Sequence, residues 1–125
     1  MGTSIIDKYS FHHWWMGALS YLLFDTTGIS MSNNFLLTNG IHLIIELLEH
    51  NVSPDGTILE SRQNHISDII FFLIGWYISM FLQLQKRIHP MFIPFLWILF
   101  IATGFKEFYR EIYPYHNSAF INGAF

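Results

Sequence analysis

Cysteine is absent from this 125-residue chain, and its absence excludes disulfide bonds, thiolate metal ligands and cysteine nucleophiles. Charged residues are scarce, at 12% against about 25% in an average soluble domain, which excludes an intrinsically disordered chain. Six lysines and arginines against nine acidic residues give a net charge of −3 and form no basic run. Because binding to phosphate groups needs clustered positive charge, we expect no nucleic-acid partner. The sequence also lacks a Ser/His/Asp triad motif, a glycine-rich phosphate loop and a nucleotide-binding fingerprint.

Apolar residues make up 52% of the chain and lie in four stretches separated by polar turns. This pattern predicts an all-α, polytopic membrane protein, with residues 1–125 forming one domain of about four transmembrane helices in a small bundle. We expect the helices at about residues 11–24, 35–50, 66–84 and 90–112. The third is the strongest membrane candidate, because about 19 mostly apolar residues cross a hydrocarbon core of roughly 30 Å. The alternative is a soluble all-α bundle, although so short a chain offers little interior for its long apolar runs.

The positions of lysine and arginine predict the orientation of such a bundle. Four crossings would separate the basic residues into a larger and a smaller group: Lys8, Arg62, Lys106 and Arg110 against Lys86 and Arg87. Because cytoplasmic loops carry an excess of Lys and Arg, both termini are predicted on the cytoplasmic or an equivalent side. The expected partners are the lipid bilayer and other membrane protein subunits.

Each of the first three predicted helices carries polar or small residues along one side. On the second helix, the residues within an arc of about 100° are Asn39, His42, Glu46, Glu49 and His50. The first helix carries His13, Gly17 and Ser20, and the third carries Asn64, Asp68, Gly75 and Ser79. Because unpaired charge inside a membrane is unfavourable, these sides should face one another. We predict an intramembrane polar cluster of His13, His42, Glu46, Glu49, Asn64 and Asp68, with Gly17, Gly75 and Ser79 allowing close helix packing.

This cluster has two interpretations from sequence. It is either a hydrogen-bonded network that fixes helix packing, or an acid–base or metal site. No cofactor is predicted; if a metal is bound, its ligands would come from His13, His42, Glu46 and Glu49, since His42 and Glu46 lie one helical turn apart. Neither HExxH nor the Glu-x-x-His pattern of di-iron proteins occurs. The remaining histidines are predicted to be surface or helix-capping residues: His12, His65, His89 and His116.

The segment N-H-I-S-D-I-I-F-F-L-I-G, from Asn64 to Gly75, resembles the N-x-x-S-D-x6-G segment of an uncharacterised small inner-membrane family. That family is similar in layout to the VanZ-like proteins. Its Ser-His and following glycine would correspond to His13 with Gly17, and its E-x-x-E-N to Glu46 with Glu49, where His50 precedes Asn51. The resemblance covers roughly residues 9–82; the family's second histidine is Met16 here, and the loop after E-x-x-E-N is shorter. It implies a polytopic membrane protein and lends no established reaction.

Small size and aromatic richness favour a structural or accessory subunit of a larger membrane assembly. The alternative is a membrane-embedded enzyme that acts on a lipid-linked or small apolar substrate. In that case Glu46 or Glu49 would be the base, and His13 and His42 would orient the substrate or bind a metal. A proton or ion path is a further alternative, and it would require an oligomer because four short helices enclose little space.

Overall fold

The computed structural model describes residue 6, residues 8–48 and residues 62–112. Four helices form its framework: α1 (Lys8–Asp25), α2 (Met31–Leu48), α3 (Arg62–Leu82) and α4 (Ile93–Ile112). Two short 3-10 turns, Leu84–Lys86 and Pro90–Phe92, connect α3 to α4. No strand occurs within these described ranges, and the all-α prediction is confirmed.

The helix boundaries follow from local capping. The second helix begins at Met31 rather than near residue 35, because the Ser30 hydroxyl accepts a hydrogen bond from the Asn33 N–H at 3.2 Å. The third helix ends at Leu82 rather than near residue 84, because Gln83 adopts a left-handed conformation with φ of 48°. It begins at Arg62 rather than near residue 66, so that the polar residues before the apolar run belong to the helix.

The entry to α4 is capped by a histidine, as predicted for His89. Its Nδ1 accepts a hydrogen bond from the Met91 N–H at 3.3 Å, and Pro90 opens the 3-10 turn. Pro94 then lies in the first turn of α4, where a missing N–H breaks no helical hydrogen bond. The proline therefore starts the helix instead of kinking it.

Helices α1 and α3 pack in direct backbone contact at two glycines. A Cβ atom added to Gly17 would overlap the Phe72 carbonyl, and one added to Gly75 would overlap the Trp14 carbonyl. Glycine is required at both positions because the two helix backbones approach too closely for any side chain. The predicted packing residues Gly17, Gly75 and Ser79 are all buried.

Neighbouring helices along the chain run in opposite directions. At one end of α1 and α2, His13 lies near Glu46, and at the other end the Asn34 amide donates a hydrogen bond to the Tyr21 carbonyl. Helices α2 and α3 also run in opposite directions, as the contacts Glu46–His65 and Asn34–Trp76 show. The contacts Met16–Thr103 and Phe24–Trp97 show that α4 runs opposite to α1. The helix ends that carry Lys8, Arg62 and Lys106 therefore lie together, opposite the connection that carries Lys86 and Arg87.

The interior of the bundle is unusually polar and its surface is apolar. Buried polar residues occur on all of the first three helices: Ser10, His13, Ser20, Asn34, Thr38, His42, Glu46, Asn64, Ser67, Asp68 and Ser79. Among the described residues, more large hydrophobic side chains are exposed than buried. A soluble bundle shows the reverse pattern, with its apolar stripe facing inward.

Of the described helices, α3 alone is long and apolar enough to cross a membrane by length and composition. A shorter apolar helical segment covers Pro90–Lys106. These properties support membrane association weakly, because a core helix of a soluble protein can meet the same criteria. The four-span arrangement predicted from the sequence stays a prediction.

Candidate functional site

Asp68 is a buried carboxylate at the contact between α1 and α3. Its Oδ1 accepts a hydrogen bond from the Ser10 hydroxyl at 2.8 Å, and its Oδ2 accepts one from the Asn64 amide at 3.1 Å. His13 Nε2 lies 3.6 Å from the same Oδ2. Asn64 and Asp68 are one helical turn apart on α3, and Ser10 and His13 are nearly one turn apart on α1. The helical spacing in α1 and in α3 therefore directs the side chains of Ser10, His13 and Asn64 at the Asp68 carboxylate.

Glu46 is a second buried carboxylate, only 1% exposed, with three imidazole rings close to it. His65 Nδ1 lies 3.0 Å from Oε2, whereas His42 Nε2 and His13 Nδ1 lie 3.4 and 3.7 Å from Oε1. A carboxylate out of water is unfavourable unless positive or hydrogen-bonding groups compensate it. The three imidazoles are the polar groups placed to supply that compensation.

His13 lies between the two carboxylates. One ring nitrogen, Nδ1, faces Glu46, and the other, Nε2, faces Asp68. A carboxylate beside one ring nitrogen fixes the orientation of an imidazole and makes its other nitrogen more basic. Asp68, itself held by Ser10 and Asn64, is therefore placed to position His13 toward Glu46.

The ring of His42 is held by stacking. Its centroid lies 4.0 Å from that of Phe72, with only 11° between the ring planes. The centroid of the His13 ring is 5.1 Å away. One ligand atom from each of His13, His42 and Glu46 can be chosen so that all three lie within 4.8 Å of one another. Two histidines and one carboxylate therefore converge from α1 and α2, with one ring oriented by Phe72.

A cavity of about 360 Å³ lies beside this cluster, between α1, α2 and α4. His12, His13 and His42 line one part of it, and Phe24 and Phe100 line another. The lining positions on α1 run from residue 12 to residue 24, about 18 Å along a helix axis. The volume falls at the lower end of the range of small-molecule sites, about 300–1,000 Å³.

Apolar side chains that are themselves exposed form part of the cavity wall. Ile41 from α2 is 48% exposed, and Ile101 and Phe105 from α4 are 62% and 69% exposed. The cavity therefore meets the outer apolar surface of the bundle between α2 and α4.

The cluster lies near one end of the bundle. Asn64 and Asp68 are two and six residues from Arg62, where α3 begins, a distance of about 3–9 Å along the helix axis. The cavity extends from this end along α1 as far as Phe24, one residue before that helix ends, and along the middle of α4.

Five of the six predicted cluster residues lie together in the structure: His13, His42, Glu46, Asn64 and Asp68. Glu49, the sixth, lies outside the residues whose side chains the structure describes, as does His50. Asn39 does not join the cluster, because its amide donates to the Phe35 carbonyl of its own helix at 3.1 Å.

The buried polar row on α2 differs from the predicted stripe. It comprises Asn34, Thr38, His42 and Glu46, each one helical turn from the next. The predicted stripe begins at Asn39. Asn34 precedes the predicted start of this helix near residue 35, and Thr38 lies within the predicted helix but outside the arc that defines the stripe.

Two residues of the cluster were not predicted. His65 was expected at the surface or in a helix cap, yet its Nδ1 lies 3.0 Å from Glu46. Ser10 was not singled out, although it precedes His13 by three residues and extends the polar side of α1 by one turn. Continuing the helical spacing from His13 toward the N-terminus, past the start of the apolar run, would have identified Ser10.

No protein-family model, curated protein or solved structure matches the chain. The resemblance to the VanZ-like layout therefore stays a prediction.

Proposed function

We propose that this protein is an integral membrane enzyme that acts on a lipid or lipid-linked substrate. The observation that carries the proposal is the buried cluster of His13, His42, Glu46 and Asp68 beside an apolar cavity that meets the exposed apolar surface. A purely structural network would need the buried polar contacts but would have no use for an adjoining cavity.

Insertion into a membrane with four crossings is the first part of the proposal. Its support is the polar interior, the apolar exterior and the alternating helix directions, which gather the basic residues at the two ends. Lipid tails would then cover the exposed apolar residues of α2, α3 and α4, and the charged groups would face the bundle interior.

The substrate class follows from the shape of the cavity. Its histidine-lined part lies nearer the end of the bundle at which α3 begins, and its apolar part extends along α1 as far as Phe24. An amphiphilic molecule could enter sideways from the bilayer between Ile41 and Ile101, with its chain in the apolar part. Its polar head would then lie against His13 and His42.

The chemistry that this arrangement favours is acid–base catalysis of hydrolysis or group transfer at the headgroup. Glu46 does not itself line the cavity, but it lies 3.4 Å from His42 Nε2, and His42 does. A proton lost by an attacking water or hydroxyl would therefore reach Glu46 through the histidines that line the cavity. His13, positioned by Asp68, and His42, stacked on Phe72, would orient the reacting oxygen atoms beside it. His65 would hold the second oxygen of Glu46.

The test uses the purified protein in vesicles made from lipids of its native membrane, with mass spectrometry of the lipids before and after incubation. We expect time-dependent conversion of one lipid class and a loss of at least about 10²-fold in rate for Glu46→Gln. The matched control is Gln63→Glu, which adds a carboxylate on the exposed side of the same end and should leave the rate unchanged.

A second candidate function is the accessory subunit predicted from the sequence, favoured by the exposed large apolar side chains along α4. Lipids that remain unchanged, together with stoichiometric protein partners in mild detergent, would support it over the enzyme. An equal rate of lipid conversion in wild type and Glu46→Gln would contradict the role of the cluster.

A further inference from the structure

We infer that His13, His42 and Glu46 form a binding site for a divalent transition-metal ion, with Zn²⁺ as the best-matched ion. The inference deepens the proposed function and rests on it for the purpose of the ion, but metal binding itself can be measured without any substrate.

The donor set suits a catalytic metal. Two imidazoles and one carboxylate are a ligand combination of catalytic zinc sites, which keep a remaining position for water or substrate. Here the ligands come from two helices of a bundle, and His42 and Glu46 are one turn apart on α2. Both histidines also line the cavity, so a ligand position on their side would be accessible to a bound substrate.

The distances are close to those of a bound ion. Two ligand atoms that each lie about 2.1 Å from a tetrahedral Zn²⁺ are roughly 3.4 Å apart. His42 Nε2 and His13 Nδ1 lie 3.4 and 3.7 Å from Glu46 Oε1. These separations exceed the usual hydrogen-bond lengths, and the three ligand atoms lie within 4.8 Å of one another. Small side-chain rotations would therefore complete the coordination.

His42 provides an independent indication. Its Nε2 is buried and makes no hydrogen bond with the described residues, although it points toward Glu46. A buried polar atom without a hydrogen bond is rare in folded proteins and needs an explanation. Coordination of a metal ion through Nε2 would satisfy it, while the stacking on Phe72 keeps the ring in place.

The groups around the ligands match the second layer of contacts in known metal sites. Ligating histidines usually direct their other ring nitrogen at a carboxylate, and here His13 Nε2 faces Asp68 at 3.6 Å. Asp68 is in turn held by Ser10 and Asn64. An ion bound here would polarise a headgroup oxygen or lower the pKa of a bound water. Because Glu46 would then be a ligand, the activation of water would pass from Glu46 to the ion.

The test is a Zn²⁺ titration of the purified, chelator-treated protein in detergent, without an affinity tag and in competition with a chromophoric chelator. We expect one equivalent to bind, with affinity reduced at least about 100-fold in His42→Ala. Asp68→Asn should weaken binding by about 10–100-fold, since it removes a charge behind a ligand but no ligand. The control His89→Ala, at the opposite end of the bundle, should bind as wild type does.

X-ray absorption of the zinc-loaded wild type provides a readout that does not depend on whether a variant folds. We expect an imidazole contribution from two histidines; a spectrum without imidazole ligands, or equal binding in wild type and His42→Ala, would overturn the inference. The two proposals fail separately. Zinc binding without lipid conversion would refute only the enzyme, and lipid conversion by a zinc-free, chelator-insensitive protein would refute only the metal site.

Discussion

Asn34 is a fully buried amide that joins three helices near the end of the bundle opposite the cluster. Its Nδ2 donates to the Tyr21 carbonyl at 3.0 Å, and its Oδ1 accepts a hydrogen bond from the Trp76 indole at 3.2 Å. The Tyr21 and Trp76 rings also meet edge to face, with centroids 5.0 Å apart. A single side chain of α2 therefore satisfies polar groups of both α1 and α3.

Replacing Asn34 with leucine keeps the approximate size of the side chain and removes both hydrogen bonds. The indole N–H of Trp76 is then left buried without an acceptor, and such a group lowers stability by about 1–3 kcal/mol. We expect Asn34→Leu to unfold at a correspondingly lower denaturant concentration in detergent. The neighbouring Asn33→Leu, on the exposed side of α2, is the control and should change little. Equal effects of the two substitutions would show that these hydrogen bonds contribute nothing specific.

At the scale of the elements, the central feature is the parallel pair α1 and α3, which share backbone contact at Gly17 and Gly75 and polar contacts around Asp68. The glycines set the distance between the helices. The polar contacts at one end then set their register, because Ser10 and His13 can reach Asp68 only in one alignment.

The glycines differ sharply in how they should tolerate a methyl group. Gly75→Ala would place a Cβ into the Trp14 carbonyl and force α1 away from α3, at a cost of about 1–3 kcal/mol. Gly40→Ala, where nothing lies within 4 Å of the added Cβ, should instead stabilise α2 by roughly 0.5–1 kcal/mol. Thermal unfolding of both variants in the same detergent measures the two changes: the midpoint should fall for Gly75→Ala and rise for Gly40→Ala. Stability losses of equal size would contradict close packing at Gly75.

For the whole molecule, the proposed membrane insertion makes a prediction about the sides on which the helix ends lie. Four crossings would put Thr27 and Lys86 on one side and Gln63 on the other, since helix directions alternate. If α3 alone crossed, Thr27 would lie on the same side as Gln63. The position of Thr27 therefore distinguishes the two arrangements.

The absence of cysteine makes this measurement direct. Single variants Thr27→Cys, Gln63→Cys and Lys86→Cys, all at exposed positions, can be labelled in sealed vesicles with a membrane-impermeant thiol reagent. We expect Thr27→Cys and Lys86→Cys to share one labelling behaviour and Gln63→Cys to show the opposite. Labelling of all three from both sides would instead indicate a bundle that does not span the bilayer.

The sequence by itself determined the helical class, the four helices that the described residues form and most of the polar cluster. Apolar runs separated by turn residues define helices locally, and helical spacing places His42 with Glu46 and Asn64 with Asp68 on common sides. These properties depend on residues close together along the chain, so they could be predicted without knowledge of the packing.

Only the tertiary structure decided which helix faces meet and how far the helices are shifted along their axes relative to one another. That His65 reaches Glu46 and that a cavity adjoins the histidines both depend on contacts between helices. Such contacts follow from the relative rotation and register of the helices, which the close approach at Gly17 and Gly75 sets in three dimensions. Spacing along a single helix carries no information about either quantity.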